Sequence, residues 1–308
     1  MTGRVSFVIP TFDGEATLPL VLDALARQTA GRDFEVVVVD DGSRDATPRV
    51  LEAYSAPYRL RVLRQPNQGP AAARNQGVRE ARGQLIVFLG DDTVPEPEFL
   101  TQHLTAHAQH PDGRVAVLGY TTWPAGWRVT PFLFQINEYG LQFGYRLIAD
   151  PENVPFNFFY TSNVSLARSL LLEAGLFDTD LPHAAWEDAE LAYRLSRLGM
   201  RLVYRPGAVT RHHHLMTFEG FRGRQRKAAE AATIVFRKHP ELAAVLGVPR
   251  ARQLSSVAAP WERAMESWAR LATRWRLPGG RAAIQQVMAR EYYRALGRAL
   301  KSDGSPGR

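Results

Sequence analysis

Short runs of branched apolar residues alternate with helical patterns in the first half of the chain. Val5–Ile9, Val36–Val39 and Leu85–Leu89 each stop at a proline, aspartate or glycine, which predicts strands that are buried on both faces. Thr17–Arg27, between the first two runs, repeats leucine and valine at helical spacing. A strand, a helix and a second strand in this order form a βαβ unit with a right-handed crossover. The pattern therefore predicts an α/β fold in which helices flank the sheet.

The pattern continues less regularly toward the C-terminus. Weaker strand patterns lie at 60–63, 115–119 and 201–205, and helical patterns at 70–81, 96–107 and 186–199. Aromatic residues crowd the stretch 122–160, which predicts a mixture of core and of an apolar or sugar-stacking groove. Two amphipathic helices are predicted at 259–276 and 284–300.

Acidic residues follow two of the predicted strands. Asp40 and Asp41 end the second strand, and Asp91 and Asp92 come after Leu85–Leu89. In open α/β sheets, ligands collect outside the carboxyl ends of the strands, where carboxylates can hold a cation and the phosphates that it carries. Aspartate is also common where a strand simply ends or a helix is capped. The repetition of the feature favours a binding site.

Three later segments add candidate groups. Arg74 lies on the first turns of the helix at 70–81, where free N–H groups and a guanidinium favour phosphate, although a surface arginine is equally consistent. Glu187 and Asp188 begin the helix at 186–199, where the helix dipole alone favours acidic side chains. His212–His214 offer imidazole, a common metal ligand, or form a solvated polar turn.

Composition narrows the function classes. The chain has 308 residues, with 38 basic and 31 acidic side chains and a net charge of +7. This excess suits phosphate-bearing substrates, an anionic membrane or nucleic acid, and the missing helix-turn-helix, zinc-finger and RNP patterns make nucleic acid the least favoured. The absence of cysteine excludes thiolate catalysis and Cys-ligated zinc. No run approaches the ~20 apolar residues of a membrane span. Because a strand begins at Val5, we expect no cleaved signal peptide and a cytoplasmic location.

Six motifs, taken in order, resemble those of family 2 inverting glycosyltransferases. They are Val-Ile-Pro-Thr-Phe (8–12), Val-Val-Asp-Asp-Gly-Ser (38–43), Ala-Ala-Arg-Asn-Gln-Gly (72–77), Phe-Leu-Gly-Asp-Asp-Thr-Val-Pro (88–95), Thr-Ser-Asn-Val-Ser-Leu (161–166) and Trp-Glu-Asp-Ala-Glu-Leu (186–191). The resemblance covers roughly residues 3–240 and implies the GT-A fold, a Rossmann-like mixed sheet of nucleotide-diphospho-sugar transferases. It implies a glycosyltransferase domain over 1–240, with a nucleotide-binding half at 1–120 and an acceptor half at 121–240, followed by a helical extension at 241–308.

The resemblance also implies an activity. A member of this family would be a metal-dependent inverting enzyme that moves one sugar from a UDP-, GDP- or dTDP-linked donor to a hydroxyl of a glycan or lipid-linked acceptor, in the synthesis of cell-surface glycan, polysaccharide or glycolipid. The Gln-x-x-Arg-Trp motif of processive synthases is missing, which favours transfer of a single sugar. A catalytically silent nucleotide-sugar-binding or scaffold protein of the same fold is the alternative.

The matched motifs imply a metal site. Asp92 corresponds to the metal-binding aspartate of the DxD motif, which would hold Mg²⁺ or Mn²⁺ against the diphosphate as a Lewis acid. His212 resembles the histidine that completes this site, and His214 could substitute for it. Asp91 would contact the ribose or the metal shell, because Gly90 stands where the family has the first aspartate.

The motifs also imply a base and a donor site. The attacking hydroxyl must lose its proton, and Asp188 matches the family's carboxylate base, with Glu187 in reserve. The residues implied to bind the nucleotide sugar are Pro10, Thr11, Asp40, Asp41, Arg74, Asp91 and Asn163.

Beyond residue 240 the resemblance fades. Trp261, Trp268 and Trp275 share one stripe of the helix predicted at 259–276, which also carries arginines. Such a Trp/Arg-rich helix pair can lie on an anionic membrane and bring an enzyme to a lipid-linked acceptor. More often such helices pack on their own domain or join two copies in a homodimer, and we expect one of these two arrangements.

Overall fold

The computed structural model describes residues 5–181, 184–254 and 260–302. The chain divides into two compact units. Unit 1 consists of the described parts of Met1–Trp127, Ile148–Thr179 and Glu187–His214, and unit 2 of those of Arg128–Leu147, Asp180–Trp186 and Leu215–Arg308. The domain boundary that the sequence suggests at residue 240 stays a prediction.

Unit 1 is built on one mixed sheet, to which the described residues contribute eight strands. These are β1 (Val5–Thr11), β2 (Phe34–Asp40), β3 (Arg59–Arg64), β4 (Leu85–Leu89), β5 (Thr93–Pro95), β6 (Val115–Thr122), β7 (Asn163–Ala167) and β8 (Arg201–His212). Their order across the sheet is β3-β2-β1-β4-β7-β6-β8-β5. β1, β2, β3 and β4 pair in parallel, whereas β7 runs antiparallel to β4 and β6.

Helices flank this sheet and form most of unit 2. In chain order they are α1 (Leu18–Leu25), α2 (Thr47–Ala53), α3 (Pro70–Glu80), α4 (Phe99–Gln109), α5 (Pro131–Glu138), α6 (Arg168–Glu173), α7 (Glu187–Arg197), α8 (Phe218–Lys238), α9 (Val248–Gln253), α10 (Pro260–Ala272) and α11 (Gly280–Ser302). α5 and α8 to α11 belong to unit 2. The helix predicted from residue 259 is described from Pro260, because Ala259 lies outside the described residues. The predicted α/β fold, with a mixed sheet and C-terminal helices, is confirmed.

Both faces of the parallel strands are buried. Phe7 and Leu22 belong to one core cluster with Phe34, which joins α1 to β1 and β2. On the other face α3 approaches so closely that a Cβ at Gly77 would lie 2.4 Å from a methyl carbon of Val8. Alternation of side chains along a strand explains why continuous apolar runs are needed here.

The sheet must curl, because β4 and β5 are consecutive in the chain but fourth and eighth in the sheet. In a flat sheet four spacings of about 4.8 Å would separate them by about 19 Å. The four residue steps from Leu89 to Thr93 can span at most about 14 Å. Curling carries the end of β8 toward the end of β4, where Thr93 pairs with His212.

β8 is longer than the strand predicted at 201–205, because it resumes after a bulge. Its register against β6 shifts between Gly119 and Tyr120, so that Gly119 pairs with Arg205 and Tyr120 with Val209. Nδ2 of Asn163 donates a hydrogen bond of 2.8 Å to the carbonyl oxygen of Ala208 in the bulge. The bulge redirects the second part of β8, as bulges commonly do beside binding sites.

Gly119 is expected to tolerate no side chain. A Cβ there would lie 2.2 Å from Oδ1 of Asn163 and 2.3 Å from the backbone oxygen of Ala208. Gly119→Ala should therefore lower the free energy of unfolding by roughly 1–3 kcal/mol, the usual cost of overpacking. Urea unfolding measures this, with Gly126→Ala as the control because nothing lies within 4 Å of a Cβ at Gly126. Equal stability of the two variants would contradict this account of the bulge.

Unit 2 is held by apolar packing and by arginine–carboxylate pairs. Ile284, Met288 and Leu296 of α11 are buried. Arg222 and Arg226 of α8 both donate to the carboxylate of Glu291, at 2.7 and 2.6 Å. In the part of the chain that the structure describes, no helix has the length and the apolar character that crossing a membrane requires.

Candidate active site

The first group at the candidate site joins the ends of β1 and β4. Oγ1 of Thr11 donates a hydrogen bond of 2.6 Å to Oδ2 of Asp91. Burial, followed by the charge of Asp92, raises the pKa of Asp91 to about 7 in spite of this bond. Gly14 packs so closely that a Cβ there would lie 2.6 Å from Oδ2 of Asp91. The ribose or metal-shell role suggested for Asp91 stays a prediction.

The second group brings Asp92 to the histidines of the β8 end. Oδ2 of Asp92 lies 3.2 Å from Nε2 of His212 and 3.7 Å from Nδ1 of His214. The backbone N–H of His213 donates to the carbonyl oxygen of Asp92, at 2.7 Å. Burial opposes ionisation of Asp92, but the hydrogen bond to His212 and the electrostatic interactions with His212 and His214 outweigh it and lower the pKa of this carboxyl. The structure thus places Asp92 beside two histidines that lie 120 or more positions later in the chain.

These three side chains offer suitable donors for a divalent cation. Ligand atoms on adjacent corners of an octahedron with bonds of about 2.1 Å lie about 3 Å apart, which agrees with the 3.2 Å between Asp92 and His212. The side chain of His214 is 57% exposed and its nitrogen is farther from Asp92. Among residues 5–181, 184–254 and 260–302, no group of three His, Cys, Asp or Glu side chains is placed so that it could hold a metal ion. The donor chemistry fits a cation, with two ligand atoms at a suitable separation.

Aromatic rings fix the plane of His212. Its ring stacks on Trp123 with centroids 5.7 Å apart and on His214 at the same distance, and both pairs are tilted by less than 20°. Trp127 stacks in turn on Trp123. Rotation of the His212 ring out of this plane would disrupt the stack, so the stack holds the plane in which Nε2 lies 3.2 Å from Oδ2 of Asp92. No role at this site was predicted for Trp123, which is one of many aromatic residues in the stretch 122–160.

The turn between β4 and β5 explains the departure from the family motif at Gly90. A Cβ at this position would lie 2.9 Å from Oδ1 of Asp92. The backbone N–H of Gly90 donates to Oγ1 of Thr93, at 2.8 Å. The Thr93 hydroxyl is also 3.2 Å from the carbonyl oxygen of Ser162. A small residue therefore keeps the turn tight and leaves room for the Asp92 carboxylate.

The acidic pair after β2 holds loops in place. Asp40 accepts from the backbone N–H of Ser43 at 2.8 Å, and Asp41 accepts from that of Gly69 at 2.8 Å. Both carboxylates are buried, whereas Pro10 is half-buried at the end of β1. The contacts to a nucleobase suggested for Pro10, Asp40 and Asp41 stay predictions.

Asp188 is held at the start of α7 by Thr161. Its carboxylate accepts from the backbone N–H of Thr161 at 2.9 Å and from the Thr161 hydroxyl at 2.9 and 3.0 Å. The Asp188 side chain is 24% exposed, so it is oriented but still reachable from solvent. Thr161 and Ser162 directly precede β7, whose first residue Asn163 pairs with Leu89 of β4. This pairing puts Asp188 at the same end of the sheet as Asp92.

Arg74 lies behind Asp188 rather than in the open. Nη1 of Arg74 lies 3.0 Å from Oε1 of Glu187 and 3.8 Å from Oδ1 of Asp188. Burial and the charge of Asp188 raise the pKa of Glu187 to about 7, although Arg74 acts in the opposite direction. Glu187 is buried, so the structure does not expose this candidate base to a substrate. The phosphate contact suggested for Arg74 stays a prediction.

Asn163, which the sequence suggests as a nucleotide-sugar contact, is fully buried in a polar chain. Because its Nδ2 donates to Ala208, its Oδ1 accepts from Nε2 of His103 at 3.1 Å. Nδ1 of His103 then accepts from Oγ of Ser165, which accepts from Nε2 of His107, both at 2.8 Å. Burial lowers the pKa of His103 to about 3 and that of His107 to about 4, so both are neutral. Asn163 therefore supports the β8 bulge, a role that sequence reasoning missed, and the nucleotide-sugar contact suggested for it stays a prediction.

Comparison with known proteins identifies relatives of this chain. The model of glycosyl transferase family 2 matches residues 6–164. Validoxylamine A glucosyltransferase of Streptomyces hygroscopicus subsp. limoneus is 34% identical over 223 residues, which cover 65% of this chain and 49% of that protein. Chondroitin synthase of Escherichia coli is 29% identical over 237 residues, which cover 68% of this chain and 34% of that protein. The chain therefore spans about half the length, or less, of these curated relatives.

Solved structures share the fold. The mannosyltransferase PcManGT of Pyrobaculum calidifontis, in complex with GDP-Man and Mn²⁺, aligns with a TM-score of 0.63 and 21% identity over 99% of this chain and 89% of that one. S. aureus TarS in complex with UDP aligns with a TM-score of 0.56 and 21% identity over 99% of this chain and 93% of that one. These likenesses confirm the predicted GT-A fold.

Proposed function

The chain belongs to glycosyl transferase family 2, and from this premise we propose that it moves one sugar from a nucleotide-diphosphate sugar to an acceptor hydroxyl, with inversion at the anomeric carbon. GDP-Man and UDP occupy two proteins of the same fold, which supports a nucleotide-linked donor. The donor is UDP-, GDP- or dTDP-linked, and the acceptor is a glycan or a lipid-linked sugar used in cell-surface glycan, polysaccharide or glycolipid synthesis.

One observation carries the proposal: a short bridge connects the proposed base to the metal-binding turn. Thr161 donates to the carboxylate of Asp188, and the carbonyl oxygen of the next residue, Ser162, lies 3.2 Å from the hydroxyl of Thr93. Thr93 directly follows Asp92 and pairs with His212. The hydrogen bonds of Thr161 and Ser162 therefore support both the carboxylate that can accept a proton and the side chains that can bind a cation. A reaction that separates a nucleoside diphosphate from a sugar needs both.

Asp92 and His212, with His214 in support, would hold Mn²⁺ or Mg²⁺. When bound, the cation supplies Lewis-acid stabilisation of the charge that develops on the leaving diphosphate. The mixed carboxylate and imidazole donors suit Mn²⁺ better than Mg²⁺, which prefers an all-oxygen set. The Trp123 stack keeps His212 in position, and the Gly90 turn keeps room for Asp92.

Asp188 is the proposed base. As the acceptor oxygen forms its bond to the anomeric carbon, its proton passes to the Asp188 carboxylate and the bond from that carbon to the diphosphate oxygen breaks. The nucleoside diphosphate leaves with the electron pair, so charge and atoms balance. Thr161 orients Asp188 through hydrogen bonds. Arg74 and Glu187 form a buried ion pair next to Asp188. Because Glu187 is buried, Asp188 is the better placed of the two carboxylates.

No comparison favours the silent scaffold that the sequence left as an alternative. The glycosyltransferases among the relatives and the intact Asp92, Asp188 and His212 support an enzyme instead. The cytoplasmic location stays a prediction.

Calorimetric titration of UDP, GDP and dTDP, with and without Mn²⁺, tests the donor site. We expect one nucleotide to bind in the presence of Mn²⁺, and Asp92→Ala to weaken this binding at least tenfold because a charged ligand is lost. Asp33→Ala is the control, since this aspartate is exposed and precedes the first residue of β2, whereas Asp40 and Asp41 lie at the other end of that strand. Circular dichroism and thermal unfolding verify that each variant is folded.

The possible results separate two claims. If no nucleotide binds to folded wild-type protein, the proposed transferase is wrong. If a nucleotide binds equally well to Asp92→Ala with Mn²⁺, the transferase stands and the metal assignment is wrong.

A further inference from the structure

The apolar stripe of α10 and the residues after it faces solvent. Trp261, Trp268, Leu271 and Trp275 have 53, 42, 49 and 59% of their surface exposed. We call these four residues the tryptophan face. Soluble proteins expose single apolar side chains routinely, but three indoles and a leucine grouped at helical spacing require an explanation.

The buried side of α10 is polar or small instead. Glu262, Ala269 and Ala272 are its buried residues. Glu262 accepts hydrogen bonds from Arg290 and Arg294 of α11. The helix is therefore fixed to α11 by ion pairs and by Arg290, whose guanidinium carbon lies 4.6 Å from the centroid of the Trp261 ring. The rest of its apolar side is exposed. The two helices thus pack on each other within unit 2, and α10 does so through this polar side rather than through its tryptophan stripe.

Charge around the tryptophan face is strongly positive. Residues 260–302 contain nine basic and three acidic side chains, so 9 − 3 gives +6. All three acidic side chains, Glu262, Glu266 and Glu291, are already paired with arginines. Arg263, Arg274 and Arg276 are exposed and form no ion pair with the described residues. The outer surface of this segment thus combines indole rings with unneutralised guanidinium groups.

We propose that the tryptophan face docks on the surface of an anionic membrane. Indole rings favour the interface between water and lipid, because the ring is apolar and its N–H group can stay hydrated. Each basic side chain near an anionic lipid surface adds about 1 kcal/mol of attraction. A helix with these features lies in the plane of the interface, which agrees with the absence of a membrane-crossing helix in the described chain.

The charge argues against a second copy as the occupant. Two such faces in contact would bring Arg263, Arg274 and Arg276 close to their counterparts, and like charges in a desolvated contact are costly. An anionic surface removes this repulsion and neutralises the excess charge. The inference does not depend on the proposed sugar transfer, since it concerns unit 2 alone.

Sedimentation with lipid vesicles tests the proposal. The full chain should bind vesicles of phosphatidylcholine with one quarter phosphatidylglycerol, and pure phosphatidylcholine vesicles at least tenfold more weakly. The double variant Leu271→Ser/Trp275→Ser should bind the anionic vesicles at least tenfold more weakly than wild type. Leu172→Ser is the control, because Leu172 is 43% exposed on unit 1, away from this segment in sequence. Trp268 is left intact because its Nε1 donates to the carbonyl oxygen of Pro278.

Three outcomes would overturn the proposal. The wild type could fail to sediment with anionic vesicles, or the double variant could sediment as well as the wild type. Light scattering could instead show a wild-type dimer that the double variant loses, which would make this face a contact between copies. Thermal unfolding of both variants shows whether they keep the wild-type fold.

Discussion

Asp188→Asn is expected to lower turnover by about 10²- to 10⁴-fold, the usual contribution of a general base. Asparagine keeps the size of aspartate and can still accept from the backbone N–H of Thr161, while the Thr161 hydroxyl can turn to accept from the new amide. The variant should therefore keep its fold and bind nucleotide as the wild type does. What it loses is the ability to take up the proton of the acceptor. Release of nucleoside diphosphate from the sugar donor, selected by the calorimetric screen, measures the loss.

Glu187→Gln is the matched control for the identity of the base. Glu187 is adjacent in sequence and has the same functional group, but it is buried against Arg74. Its replacement should change turnover less than tenfold, provided that the variant is folded. If Glu187→Gln removed activity and Asp188→Asn kept it, the assignment of the base would have to be exchanged.

Arg74→Met is expected to lower the free energy of unfolding at pH 8 by about 3–5 kcal/mol, the cost of removing one partner of a buried ion pair. Methionine can fill much of the space over the Phe177 ring, where the guanidinium carbon lies 5.5 Å from the centroid. It cannot compensate the Glu187 carboxylate, which the guanidinium contacts at 3.0 Å. Urea unfolding measures the difference. Arg79→Met, on the exposed side of the same helix, should stay within about 0.5 kcal/mol of wild type.

The same variant should show a characteristic pH dependence. The folded-state pKa of Glu187 is already raised to about 7, above its ordinary value of 4.5. Loss of the Arg74 charge removes an interaction that lowers this pKa, so it should rise further. A carboxyl with a raised folded-state pKa favours the folded state below its unfolded pKa, and this advantage is lost as the pH rises through the folded value. The penalty of Arg74→Met should consequently be smaller at pH 5.5 than at pH 8, and a constant penalty would contradict a charge-based role.

Local pattern was sufficient for most strands and helices of unit 1. The apolar runs that predict strands at 5–9, 36–39 and 85–89 correspond to β1, β2 and β4. Observed boundaries extend further, for example to Asp40 in β2, because backbone pairing continues into polar residues. β5 was missed because three residues around a proline carry no periodic signal. Such a short strand exists only because β8 offers it a partner.

At the candidate site, local sequence predicts the chemical groups, whereas the fold decides how they are arranged. Its chemical groups could be named from the sequence, since aspartates after apolar runs and a helix that begins with Glu187 and Asp188 are local features. The pairing of these groups could not be predicted from the sequence, because Arg74 contacts Glu187 across 113 positions and Asp92 contacts His212 across 120. Which of two adjacent carboxylates is exposed depends on packing around α7. The local sequence does not show which of Glu187 and Asp188 is buried and which is exposed.

By itself, the sequence determined most of the strands, the family motifs and the carboxylates at the strand ends, because each of these is encoded by neighbours within a few positions. Only the tertiary structure decided the curl that brings His212 to Asp92, the burial of Glu187 and Asn163, and the outward direction of the tryptophan face. An amphipathic stripe specifies that one side of a helix differs from the other. Whether that side meets protein or solvent depends on the partners of the opposite side, and in α10 those are the arginines that bind Glu262.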